Sequence, residues 1–173
     1  MRPWHGRTRF CPSIFLLNPA GSHPISGSGY GKRIQMKANR TTTPIVARCG
    51  YRCDLCPAYK ENIHGPEDQQ RTSDGWFKYY GFRIPPEQIC CDGCLDERAG
   101  ARRIDANCPV RPCVIARGME TCGDCSEPGC KHFESRTVTR ESVEKRFGAP
   151  IPPEDYRKFI LPYERSGLRR NLP

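Results

Sequence analysis

Long apolar runs are missing from this sequence. The best candidate in the N-terminal region, Ile14-Phe15-Leu16-Leu17, is four residues long before Asn18 and Pro19 end it. A membrane-spanning helix needs ~20 apolar residues, and a secretory signal needs an unbroken apolar core behind basic residues. Neither is expected here, so we expect a cytoplasmic chain that does not engage a membrane. Ordinary apolar side chains are also scarce. The hydrophobic fraction is 36%, but twelve of the residues counted in it are cysteines, and Gly and Pro contribute 16 and 17 residues. Small loop-rich chains of this kind rarely bury enough apolar surface to fold on that alone, and they use disulfides or metals instead. Acidic residues are absent from positions 1–35, which hold Arg2, Arg7, Arg9, Lys32 and Arg33. Elsewhere the two signs mix within an overall charge of +9. A modest spread-out excess suits a solvated surface better than the concentrated basic face of a nucleic-acid binder. Nucleic acid is therefore not the expected partner.

Catalytic patterns are lacking too. There is no Gly-rich phosphate loop, no His-Glu-x2-His helix and no nucleophile motif. Adjacent acids such as Asp96-Glu97 and Glu154-Asp155 point apart on a helix or strand and read as solvated surface. No catalytic residue is expected.

What the sequence does have is thiols. Without a signal segment, reduced cysteines that bind metal are favoured over a disulfide framework. Eleven of the twelve cysteines fall between residues 49 and 130, and their spacing is regular. Cys49-x3-Cys53-x2-Cys56 comes first, and Cys91-x2-Cys94 follows with Cys90 just ahead. Then come Cys108-x4-Cys113 and Cys122-x2-Cys125-x4-Cys130. A two-residue gap lets one backbone turn aim two sulfurs at one ion, and Gly50, Gly93 and Gly123 stand where such turns need them. The candidate metal ligands are Cys49, Cys53, Cys56, Cys91, Cys94, Cys108, Cys113, Cys122, Cys125 and Cys130. His132 is a further candidate, Cys90 the expected spare thiol, and the remote Cys11 is excluded.

Two four-ligand sites is the expected arrangement. Cys49, Cys53 and Cys56 share one ion with a remote cysteine, and Cys91 and Cys94 complete either site. Zinc is the expected metal, with a [4Fe–4S] cluster as the alternative, since Cys56-Pro57 and Cys108-Pro109 match a common cluster context. The first triplet also has the cluster spacing of S-adenosylmethionine radical enzymes. The chain shows no series of βα units to accompany it. A thioredoxin-like context for a reactive Cys-x2-Cys pair is absent as well.

These residues resemble the domain-of-unknown-function family 3795, a group of small Cys-rich bacterial and archaeal proteins. The resemblance rests on Cys49-Gly50-Tyr51-Arg52-Cys53-Asp54-Leu55-Cys56-Pro57-Ala58-Tyr59, then Cys91-Asp92-Gly93-Cys94, Cys108 and Arg111-x-Cys113. It ends on Gly118-x3-Cys122-x2-Cys125, Cys130 and Phe133. It implies metal binding through these cysteines and no particular activity.

The expected organisation is a disordered basic leader at 1–35, with Met36 a plausible second start, and a Cys-rich metal-binding domain at 46–135. Short helices at 136–164 pack on it, and 165–173 fray. Pro66 and Gly81 bracket a helix carrying Trp76, Tyr79 and Tyr80, which Asp74-Gly75 threatens to split. Thr139 and Gly148 bracket another, and Pro152-Pro153 opens a third. The expected class is a small irregular α+β or coil-dominated fold, stabilised by metal and without a large hydrophobic core. The expected role is a zinc-binding structural or interaction module with a protein partner.

Overall fold

Local chemistry sets the longest element of the fold. Pro66 occupies the first position of helix α1 (Pro66–Tyr80), where its fixed φ fits and its missing N–H costs nothing. Glu67 and Asp68 follow in the positive first turn. Gly81 ends the helix in the left-handed region at φ 75°, with its amide donating to the Phe77 carbonyl at 3.0 Å. These features come from a computed structural model, which describes residues 43–127 and 130–164. The leader, Cys11 and the tail at 165–173 lie outside the described residues.

α1 is not split at Gly75. Thr72, Gly75, Trp76 and Tyr79 share its buried face, and Ser73 is buried beside them. The two buried hydroxyls are satisfied, Thr72 by the Asp68 carbonyl and Ser73 by the Ile84 carbonyl, each at 2.7 Å. Glycine is needed at position 75 for space. A Cβ there would lie 2.1 Å from Cε1 of Phe159.

Three further helices are α2 (Val110–Ala116), α3 (Lys131–Glu134) and α4 (Arg140–Phe147). Thr139 and Ser142 cap α4 reciprocally, and Gly148 closes it at φ 80°. A short α5 (Pro153–Asp155) runs into a π-helical turn (Tyr156–Ile160) and a 3-10 turn (Leu161–Tyr163). The β half of the expected α+β class is reduced, among the described residues, to two isolated bridges. They are Val46 with Arg52 and Tyr59 with Cys91. The short helices dominate instead.

Two small cores form. The first joins α1, α4 and the C-terminal turns through Ala58, Trp76, Tyr79, Ile89, Val143, Ile151, Phe159 and Ile160. Cys56 and Cys91 pack at its edge. The Tyr79 hydroxyl donates to the Asp155 carboxylate, which Lys78 also meets at 2.9 Å. The second core is smaller. Ala47, Cys49, Cys122 and the i, i+4 pair Val110 and Val114 of α2 form it. Cys53, Cys94 and Cys108 pack against that core.

The contact at Gly75 gives a signed test. On an open helix face, Gly→Ala stabilises by ~1 kcal/mol. Here overpacking against Phe159 opposes that gain, at about 1–3 kcal/mol or more. Gly75→Ala is expected to lower the midpoint of urea unfolding, and a raised midpoint would refute the packing described.

Candidate metal centre

Two stitched turns build the site. The Cys53–Leu55 turn is fixed from several sides. Ile45 N–H donates to Asp54 Oδ1 at 3.1 Å, and Asn62 Nδ2 reaches the carbonyls of Asp54 and Cys56 at 3.0 and 2.8 Å. The Cys91–Cys94 turn is tied beside it. Cys91 N–H donates to the Ala58 carbonyl at 2.8 Å, and Lys60 N–H to the Cys91 carbonyl at 2.9 Å. Gly93 makes the reversal at φ 96°. Arg52 N–H donates to the Pro162 carbonyl at 2.8 Å, docking the C-terminal turns against the first knuckle.

Six thiols line one cavity of about 280 Å³: Cys49, Cys53, Cys56, Cys91, Cys94 and Cys108. The sequence alone leaves Cys91 and Cys94 open between two sites and does not place Cys108. The structure gathers all three with the first triplet. Each sulfur faces a backbone amide. Tyr51 supplies the one at Cys49, Cys94 the one at Cys53, and Ala58 and Tyr59 those at Cys56. Gly93 N–H lies 3.4 Å from the Cys91 sulfur. The Arg48 amide serves Cys94, and the amides of Val110 and Arg111, at the start of α2, serve Cys108. Such donors favour the thiolate.

Burial works the other way. Desolvation pushes Cys53 up to about 12 and raises Cys56 and Cys94. Cys49 and Cys108 share a hydrogen bond. It raises Cys49 and draws Cys108 down to about 6, with the helix-start amides assisting. As these groups stand, no three His, Cys, Asp or Glu side chains among the described residues converge closely enough to hold one ion.

The walls add aromatics and cations. Trp76 Nε1 donates to the Tyr163 hydroxyl at 3.0 Å, and that oxygen lies 3.4 Å from the Cys56 sulfur. Burial, and then the nearby Cys56, hold Tyr163 well above its usual range, so it stays a donor. Arg52, Arg103, Arg111 and Arg136 reach the same cavity. Arg111 and Arg48 act on Cys94, and Arg136 acts on Cys108. The buried Nε of Arg103 has no hydrogen-bond partner among the described residues. Arg98 and Arg102 are instead occupied on the rim by Asp96 and Asp92.

The other four candidates lie apart from this cavity. Cys113 sits on α2, and Cys122 and Cys125 flank the Cys122–Asp124 turn. Cys130 caps α3. Arg117 lies near both Cys113 and Cys125, with Nη1 3.4 Å from the Cys125 sulfur. Cys122 is buried in the second core. His132 is exposed on α3, and Cys90, expected as a spare thiol, is instead disulfide-bonded and buried without lining the cavity. Sequence reasoning missed Tyr163, Trp76 and Arg136 as site residues. No local pattern marks them, because they reach the thiols only through tertiary packing.

No helix among the described residues is long and apolar enough to cross a membrane. No curated protein and no solved structure matches the chain. The model of one family, described as "Protein of unknown function (DUF3795)", matches residues 45–135, a span that contains all ten of these cysteines, and the chain belongs to that family.

Proposed function

We propose that this chain is a metal–thiolate module in which zinc, held at the six-thiol cavity, organises a small fold for contact with a protein partner. The observation that carries the reading is the set of backbone amides aimed at all six sulfurs. A buried thiol gains little from such donors while it is protonated, whereas a thiolate on a cation gains much. Zinc takes four sulfurs at ~2.3 Å and contributes ~10–16 kcal/mol of folding free energy per site in finger peptides. Two cores as small as these leave a need for such a term. Cys113, Cys122, Cys125 and Cys130 form the second set of ligands in this reading. Phe77 and Phe82, exposed at the end of α1, and Leu95 beside the Cys94 turn offer apolar surface to a partner.

One observation favours a [4Fe–4S] cluster as the second reading. The cavity is wider than a single ion requires, and Cys56 precedes Pro57 on its wall. Colour separates the two.

Protein purified without oxygen is expected to be colourless and to carry zinc. A strong chelator is expected to remove the zinc and the helical circular-dichroism signal together. Brown protein with iron and sulfide would replace zinc by the cluster. A chain that stays folded without any metal would sink both readings.

Acidification supplies a further check. Burial holds Cys53, Cys56 and Cys94 protonated when no cation is present. Zinc must therefore displace protons to bind, and falling pH favours release. Zinc release followed with a colorimetric indicator is expected to rise as pH drops below neutrality, with unfolding tracking it. Unfolding that precedes release would place the metal outside the structural core.

A further inference from the structure

The Tyr163 hydroxyl stands between two groups of fixed character. An indole nitrogen can only donate, and Nε1 of Trp76 donates to the Tyr163 oxygen at 3.0 Å. The hydroxyl proton must then find its own acceptor. Among the described residues the other partner of that oxygen is the Cys56 sulfur, at 3.4 Å. A desolvated hydroxyl without an acceptor is costly, so Trp76 sets the direction of the second bond, from Tyr163 to sulfur. Packing aims it. The Tyr163 ring lies edge-on to Tyr51 and Tyr80, with centroids 5.3 and 6.0 Å away. Both neighbours are tied in turn. The Tyr51 hydroxyl donates to the Arg136 carbonyl and that of Tyr80 to the Phe159 carbonyl, each at 2.8 Å. On the chain itself, the Pro162 carbonyl accepts the Arg52 amide at 2.8 Å. A phenylalanine would fill the same ring space, so the hydroxyl is the part that packing does not explain.

Resting on the metal–thiolate reading above, we infer that Tyr163 is a positioning residue of the site. Its hydroxyl holds the Cys56 sulfur for the ion through an O–H···S bond, and Trp76 holds the hydroxyl. A thiol sulfur is a weak acceptor, so the bond does little for a protonated Cys56. On a thiolate the same bond is charge-assisted and roughly twice as strong. Partners in the shell around a metal ligand commonly carry roughly 10- to 100-fold in metal affinity. Tyr163 lies past the residues 45–135 that match the family. The C-terminal turns thus serve the site directly as well as filling the first core. No step of bond breaking or redox chemistry is involved.

The test is Tyr163→Phe in the full chain, which keeps the ring and removes only the hydroxyl. Zinc affinity is measured by competition with a chromophoric chelator, and cobalt(II) in place of zinc gives a sulfur-to-metal charge-transfer band. Zinc affinity is expected to fall roughly 10- to 100-fold. The band is expected to move to lower energy, because a thiolate that has lost a donor gives up its electron more readily. Unchanged affinity and an unmoved band in a folded variant would overturn the positioning role and leave the metal–thiolate reading intact. Weaker binding with an unmoved band would mark a merely structural contribution and would also overturn it. A wild-type chain that binds neither zinc nor cobalt would sink both.

A measurement on the wild-type chain decides the matter should the variant fail to fold. With cadmium-113 bound in place of zinc, the Tyr163 hydroxyl proton is expected to show scalar coupling to the metal across the O–H···S bond. A cadmium-loaded chain with no correlation between that proton and the metal would refute the inference.

Discussion

Everything at this site depends on N–H groups being held toward sulfur. The amides near the thiols of the cavity lie in turns and at the start of α2, so the chain around these six cysteines is irregular and must still be fixed. The fixing comes from the bonds between the Cys53 and Cys91 turns, from Asn62 under the first turn, and from the start of α2 under Cys108. This explains the near absence of strands among the described residues. The backbone donors that would build a sheet here are spent on turns and sulfurs, and isolated bridges are what remains.

The segment after the family match is part of the same construction. Tyr163 reaches Cys56, the Pro162 carbonyl receives the Arg52 amide, and Arg136 acts on Cys108 while its carbonyl accepts the Tyr51 hydroxyl at 2.8 Å. Phe159 and Ile160 fill the first core against α1, which in turn positions Trp76 as donor to Tyr163. A single hydrogen-bonded path therefore runs from the helical core to a candidate ligand. Geometry at Cys56 is coupled to packing some hundred residues further along the chain.

Sequence reasoning reached some of this structure and not the rest, for physical reasons. Helix boundaries at Pro66, Gly81, Thr139 and Gly148 were legible because capping is local chemistry, decided within a turn. Asp74-Gly75 weakens the helix on propensity alone, yet α1 runs through it, and Phe159 occupies the space of the missing side chain at Gly75. Tertiary packing set that glycine's role, which helix propensity does not report. The grouping of cysteines was illegible for the same reason. Cys108 and Cys113 are five residues apart, yet α2 begins between them and carries Cys113 away from the cavity that Cys108 lines. Conversely, Cys56 and Cys91 are far apart in sequence, and two backbone hydrogen bonds set their turns side by side.

The arginines separate into two kinds, and the difference bears on which state of the site is favoured. Arg98 and Arg102 are neutralised on the rim by Asp96 and Asp92, whose carboxylates are held below their ordinary range. They need nothing more. Arg103 offers a buried nitrogen without a partner among the described residues, and Arg111 spends its Nε on the Cys94 carbonyl at 3.2 Å. With most of the thiols protonated, Asp105, already paired with Arg136, is the one carboxylate lining the cavity among the described residues, and the guanidinium charges of Arg103 and Arg111 there lack a full counter-charge, which is costly. With thiolates on divalent ions, the wall becomes anionic and the same guanidinium groups are compensated. The fixed cations and the amides thus favour one condition of the cavity together, and the burial that opposes free thiolates ceases to oppose them once a metal carries the balancing charge.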